Sequence, residues 1–143
     1  MKSDSADFGK FAEQLAAEYL VKKGYTVQER NWRPKSGHLE VDIICRRDDT
    51  IIFVEVKARS GDSGDPAKAV DFRKRRHLCN AADSYMRSLG DKCEYRFDIV
   101  TVWKKEDDDE AVITDHLEDA FLAPLSRAGI RTAATGGKLN GVL

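Results

Sequence analysis

The stretch "IIFVEVKARS", residues 51–60, decides how this chain folds and sets its central chemical problem. Ile51, Ile52, Phe53, Val54 and Val56 form an apolar run, the pattern of a strand buried on both faces. Glu55 and Lys57 interrupt that run, and Arg59 continues their spacing. Side chains alternate along a strand, so the three charges share a face. Moving an unpaired charge out of water is costly unless a partner or a metal compensates it.

The preceding run "LEVDIICR" (39–46) reads as a neighbouring strand, joined through "RDDT" (47–50). So short a connection predicts an antiparallel hairpin. Glu40 and Asp42 share a face of that strand, and pairing it with the next brings Asp42 near Glu55. Upstream, Phe8, Phe11, Ala12, Leu15, Ala16, Tyr19 and Leu20 recur at helical spacing. They predict a helix over 6–23, capped by Ser5 or Asp4 and stopped at Gly24. "YTVQERNW" (25–32) follows as the first strand.

Downstream, "RSGDSGDP" (59–66) reads as a loop, with Asp65 and Pro66 opening a second helix that runs to about Leu89. "YRFDIVTVW" (95–103) is a fourth strand, and "AVITDHL" (111–117) a short edge strand. A crossover helix between the third and fourth strands makes those two parallel. The order α-β-β-β-α-β predicts a single α/β domain over 1–121, with a central mixed sheet flanked by helices. Beyond Phe121 the periodicity fades, and the Gly- and Thr-rich residues 122–143 are expected to form a flexible tail.

Bulk properties exclude some classes. The chain has 143 residues, enough for one domain with a hydrophobic core. No apolar run approaches the roughly 20 residues needed to span a bilayer, so no membrane partner is expected. The N-terminal "MKSDSADFGK" lacks the apolar segment of a signal peptide. Three cysteines without CxxC spacing point to reduced thiols and a cytoplasmic location, not a zinc site. Net charge is −1, but eight acidic residues lie between Glu106 and Asp119 with no Lys or Arg among them. The basic stretches "RNWRPK" (30–35) and "RKRRH" (73–77) therefore allow a local cationic face on a neutral protein.

Carboxylates on adjacent strands with a lysine beside them suit Mg²⁺ or Mn²⁺, which bind through one or two carboxylates, waters and substrate phosphates. A lysine there can orient water or stabilise charge on a phosphate under attack. These are the needs of phosphodiester hydrolysis. The competing reading is a structural ion pair, Glu55–Lys57 or Asp42–Lys57. The apolar run before the triplet, and a second acid amid Val41, Ile43 and Ile44, favour the metal site.

Other residues carry two readings each. Arg96 and Asp98 share a face of the fourth strand, as a buried structural pair or a catalytic one. Trp32 is read as core packing ahead of a stacking platform for a base. His38, His77 and His116 are read as surface or loop residues. Arg33 and Arg59 are candidate phosphate contacts.

Asp42, twelve intervening residues and "EVK" resemble the PD-(D/E)xK signature of the restriction-endonuclease-like superfamily. More closely, the chain resembles the YraN-like family of predicted bacterial endonucleases, akin to Holliday-junction resolvases, with a tRNA-endonuclease-like fold. "AEQLAAEYLVKKGY", "RNWR", "EVDII", "IFVEVKARS", "AVDFRKRRHL", "RFDIV" and "DAF" carry the similarity over about residues 9–121. The resemblance implies a restriction-endonuclease-like core. It makes Asp42, Glu55 and the Val56 carbonyl metal ligands, Lys57 the catalytic lysine, and Glu13 and Glu40 accessory acids. It makes Lys74 a basic group facing the phosphate. Three positions depart from the family pattern: Ala12 and Leu39 stand where glycine is usual, and Val41 where the signature has proline. The expected function is a divalent-metal-dependent endonuclease acting on structured or branched DNA. The alternative is a non-catalytic nucleic-acid-binding module of the same fold. Junction cleavage by two symmetry-related sites would make a homodimer the expected assembly.

Overall fold

The computed structural model describes residues 2–35, 37, 40–61, 72–90, 93–105 and 110–120, with side chains from residue 7 onward and excepting that of Phe72. Its centre is the hairpin of strands β2 (Val41–Arg47) and β3 (Thr50–Ser60). Only Asp48 and Asp49 separate them, and Asp48 adopts a left-handed φ of 55°, the geometry a two-residue turn demands. The antiparallel register runs from Arg47↔Thr50 to Ile43↔Val54. One step further sets Asp42 opposite Glu55.

Strand β1 (Thr26–Trp32) pairs antiparallel with β2, with an irregularity between Val27 and Glu29. Helix α2 (Phe72–Leu89) crosses over so that β4 (Glu94–Lys104) lies parallel to β3. Strand β5 (Ala111–Leu117) closes the far edge antiparallel to β4. The sheet order is β1-β2-β3-β4-β5, a mixed sheet in an α/β body. Helix α1 (Lys2–Lys22) begins before the expected cap, so Asp4 and Ser5 lie within it. It ends as expected: Gly24 has φ 98°, and the amides of Gly24 and Tyr25 donate to the carbonyls of Val21 and Leu20. Strand β3 runs through Ser60, past the expected start of the loop. The Asp65–Pro66 helix start and the flexible tail at 122–143 fall outside the described residues.

Each helix covers one face of the sheet. Ile51, Phe53, Tyr95, Phe97 and Ile99 pack with Leu78, Ala82 and Tyr85 of α2. Ile52, Val54, Ile43, Cys45 and Val100 pack with Ala16, Ala17 and Leu20 of α1. The odd and even positions of β3 thus serve opposite cores, as strand alternation requires. Trp32 meets Tyr85 edge-on, ring centroids 5.2 Å apart, in the packing role expected of it. The three cysteines are free, and burial pushes the Cys45 thiol up to about 12. Among the described residues no helix is long and apolar enough to cross a membrane.

The α1 face contains a buried polar network. Asp98 accepts hydrogen bonds from Arg96 Nε at 2.9 Å and the Asp119 amide at 3.0 Å. His116 Nε2 lies 2.8 Å from Asp98, while its Nδ1 meets the Tyr19 hydroxyl at 2.9 Å. Arg96 also reaches the Tyr25 hydroxyl at 2.9 Å. His116 is therefore not the surface residue expected from sequence: its side chain is only 5% exposed. Arg96 and Asp98 form the structural pair, joining β4 to β5 and to α1.

Burial acts to raise the Asp98 pKa, but the hydrogen bonds from His116 and Arg96 outweigh it and hold the carboxylate below its ordinary value. Its stabilising contribution is then fully present above the unfolded value near 4 and is lost as pH falls through the folded one. Asp98→Ala, which strands Arg96 and His116, is expected to destabilise the protein by about 3 kcal/mol or more at pH 7. The loss should shrink at strongly acidic pH, as wild type itself loses the interaction on passing through the lowered folded value. Urea denaturation at both pH values measures this; equal loss at both would show that the Asp98 charge is not what matters.

Candidate functional site

Past Phe53 the apolar face of β3 runs out under α2, and the next side chains on that face are Glu55 and Lys57. Glu55 is 5% exposed. Its Oε2 lies 3.1 Å from Lys57 Nζ and also accepts a hydrogen bond from Lys74 Nζ of α2. Lys74, expected to face a substrate phosphate, donates to Glu55 from α2. Asp42 enters from β2 and its Oδ2 accepts the Val56 amide proton at 2.8 Å. Among the described residues, neither Asp42 Oδ1 nor Glu55 Oε1 takes a hydrogen bond.

These groups perturb one another. Burial, then the Glu55 charge, pushes the Asp42 carboxyl up to about 7; the Val56 amide opposes this and the Glu13 charge adds to it. Burial holds the Lys57 ammonium below its ordinary value, against the pull of Glu55. Burial acts to lower Lys74 as well, but its ion pair with Glu55 prevails and its pKa is raised. The site therefore pairs a carboxyl that resists ionising with a lysine that gives up its proton more readily than usual.

The other expected residues are placed around this centre. Glu13 sits on α1, close enough for its charge to act on Asp42. It lines a groove of about 690 Å³ with Lys10, Gln14, Arg30, Asn31 and Glu40. Glu40 pairs with Arg33 at 3.3 Å, and both side chains remain well exposed. Arg59 follows Lys57 along β3, and its Nη1 donates to the Ala58 carbonyl at 3.3 Å. Among the described residues no three His, Cys, Asp or Glu side chains converge into a closed metal cage. The two-carboxylate set Asp42 and Glu55, with unbonded oxygens and mutual repulsion, still fits an ion that takes one or two protein carboxylates and fills its shell with water and phosphate.

Two groups here were given no role in the sequence reading, although Asn31 lies within the quoted RNWR stretch. Asn31 donates from Nδ2 to Glu13 Oε1 at 3.1 Å. Thr101 pairs with Lys57 in the β3–β4 register, and its buried hydroxyl has no hydrogen-bond partner among the described residues. The Asn31 contact joins residues 18 positions apart, and the Thr101 pairing depends on the parallel crossover.

With a chelator present, the buried acid should depress stability as it ionises. Between the unfolded value near 4 and about 7, the unfolded chain gives up a proton that folded Asp42 keeps, so stability falls as pH rises through that window. Asp42→Asn keeps an acceptor for the Val56 amide and is expected to raise the melting temperature at pH 8, with the gain vanishing near pH 4. Thermal melts in EDTA across this range test it; a pH-independent gain would put the cause elsewhere.

The family model described as "Uncharacterised protein family UPF0102" matches residues 12–102. That segment holds Glu13, Asn31, Asp42, Glu55, Lys57 and Lys74. A UPF0102 protein of Parabacteroides distasonis is 46% identical over 119 residues, covering 82% of this chain and 94% of the relative. One from Chlorobium phaeobacteroides is 40% identical over 128 residues, covering 86% and 99%. One from Bacteroides thetaiotaomicron is 38% identical over 120 residues, covering 83% and 95%.

Proposed function

The chain belongs to the uncharacterised protein family UPF0102, and we propose that it is a divalent-metal-dependent endonuclease hydrolysing phosphodiester bonds in structured or branched DNA. One observation carries the reading. The β2–β3 register sets Asp42 opposite Glu55 at the end of the buried sheet, with Lys57 two residues on. Two carboxylates in one half-buried place repel each other, and a cation together with a phosphate would relieve both charges. The mixed sheet with a helix on each face is compatible with a restriction-endonuclease-like core.

In this reading Asp42 and Glu55, with the Val56 carbonyl, would hold Mg²⁺ or Mn²⁺, and Glu13 and Glu40 would stand at the rim. The ion would supply Lewis acidity toward the scissile phosphate and lower the pKa of a bound water. Lys57, on the same strand face as Glu55 and with its ammonium destabilised by burial, would hold or move a proton at the attacking water. Lys74, beside Glu55 on α2, would turn to a substrate phosphate. Arg59, and Arg33 once freed from Glu40, would contact flanking phosphates.

A second reading has its own observation. Glu55 is already neutralised by Lys57 and Lys74, so the site is charge-balanced without a cation. That arrangement favours a module that binds nucleic acid without cutting it.

A cleavage assay separates the two. Labelled duplex, single-stranded, flapped and four-way-junction DNA, with structured RNA beside them, are incubated with Mg²⁺, Mn²⁺ or EDTA. Metal-dependent cutting of branched DNA is expected, falling at least 100-fold in Lys57→Ala, on the scale of lost acid–base and electrostatic assistance. Binding that persists in EDTA with no cutting under either metal would establish the non-catalytic module instead.

A further inference from the structure

We propose that the outer ridge of α2 carries the phosphate backbone of a duplex DNA arm that runs away from the Glu55 centre. The inference rests on the nucleic-acid reading of that centre and adds to it the place and the form of the substrate.

Helix α2 has two different sides. Leu78, Ala82 and Tyr85 are buried against the sheet. On the other side Arg73, Arg76, His77, Asn80 and Arg87 are exposed, with Ser84 half-buried among them. At 3.6 residues per turn these six positions fall within roughly a third of the helix circumference. Each is a cation or a neutral hydrogen-bonding group, and none is a carboxylate. The helix has one acid, Asp83, which pairs with Arg87 at 2.7 Å. The Arg87 side chain is still 73% exposed, so the pair steadies its guanidinium and leaves most of it to solvent.

The ridge is aligned with the site. Lys74, in the first turn of α2, reaches Glu55, and the Tyr85 ring, three turns on, meets Phe53 with centroids 5.8 Å apart. The helix therefore starts over Glu55 and runs back along β3. From Arg73 to Arg87 it advances about 21 Å, at ~1.5 Å per residue. A duplex covers that length in about six base pairs.

Charge selects this helix and the kind of partner. Within its bounds α2 has five Arg and Lys against one acid, whereas α1 has three Lys against four acids. Helix α1 covers the opposite face of the sheet, and Asp7 and Glu18 are among its exposed residues. Glu55 lies on the α2 face, so the cationic surplus and the site share one side of the molecule. Arginines at both ends of a ridge with neutral donors between them suit phosphates spaced along a backbone, contacts that position a nucleic acid without reading its sequence. Single strands are held on aromatic platforms, and the ridge offers no Phe, Tyr or Trp. The occupant is therefore a duplex.

The test uses the full-length protein in EDTA, which prevents cutting, and again in Ca²⁺. Fluorescence anisotropy follows binding to flapped DNA whose duplex arm is hairpin-capped at about four or about twelve base pairs, either side of the ridge length. Arg73→Gln/Arg76→Gln is expected to weaken binding to both arms at least 10-fold near 0.1 M salt and to make the salt dependence shallower by about two counterions. Arg87→Gln is expected to weaken the long arm and leave the short arm unchanged. Lys22→Gln/Lys23→Gln, a charge-matched change on α1, should move neither. Glutamine keeps helix propensity close to that of arginine, and urea denaturation confirms that each variant is folded. Wild-type affinity and salt slope in the α2 variants would overturn the ridge, as would an equal loss from Arg87→Gln on both arms; metal-dependent cutting by wild type would stand in either case. Capture by phosphatidylserine vesicles that depends on these arginines, with DNA affinity unchanged, would assign the ridge to a membrane surface and overturn the proposal. Failure of wild type to bind either arm would overturn it too, leaving the cleavage assay to decide the site on its own.

Discussion

Two carboxylates are brought together where the sheet has stopped being purely apolar, and much of this structure answers to that constraint. Asp42 and Glu55 face each other across β2 and β3 because a two-residue turn sets the register of the hairpin. Burial and mutual repulsion resist ionisation of Asp42, and the surroundings respond with cations and amides: Lys57 from the same strand, Lys74 from the crossover helix, the Val56 amide from the backbone. The desolvation cost of such groups is large enough that they persist only with partners. Among the described residues, one oxygen of each acid takes no hydrogen bond.

The two faces of the sheet deal with buried charge differently. On the α1 face Asp98 is saturated: Arg96, His116 and the Asp119 amide all donate or approach it, and its carboxylate is held ionised. That network is closed and ties β4, β5 and α1 together. On the α2 face the Glu55 centre instead carries ionisable groups pushed toward neutrality from both directions, the Asp42 carboxyl upward and the Lys57 ammonium downward. Closed networks fix structure, whereas open ones with displaced proton affinities are where chemistry is generally found. The contrast lies within a single strand pairing, since Asp98 and Glu55 sit on adjacent strands and opposite faces.

Much of the architecture was legible before any coordinates. Apolar alternation and turn residues marked all five strands and both helices, because each element's hydrophobic period is a local property. The hairpin followed from a connection too short for anything else. The candidate acids followed from charges interrupting apolar runs. His116 was misjudged because a lone histidine on an edge strand looks exposed until Tyr19, 97 residues earlier in the chain, is packed against it. Lys74 was placed near a phosphate, but its hydrogen bond to Glu55 depends on how α2 lies over the sheet. The early start of α1 went unseen because capping residues such as Asp4 and Ser5 are also tolerated inside a first turn.

What the sequence determined by itself is the class of fold, the strand carrying the charges and the identities of Asp42, Glu55 and Lys57, all encoded in short-range periodicity. What only the tertiary structure decided is the environment of those charges: Asp42 pushed to about 7, Glu55 shared by two lysines, Asn31 turned left-handed to reach Glu13. The physical reason is range. Periodicity is written between residues a few positions apart, while burial and Coulomb interaction depend on which distant segments the fold brings within a few ångströms.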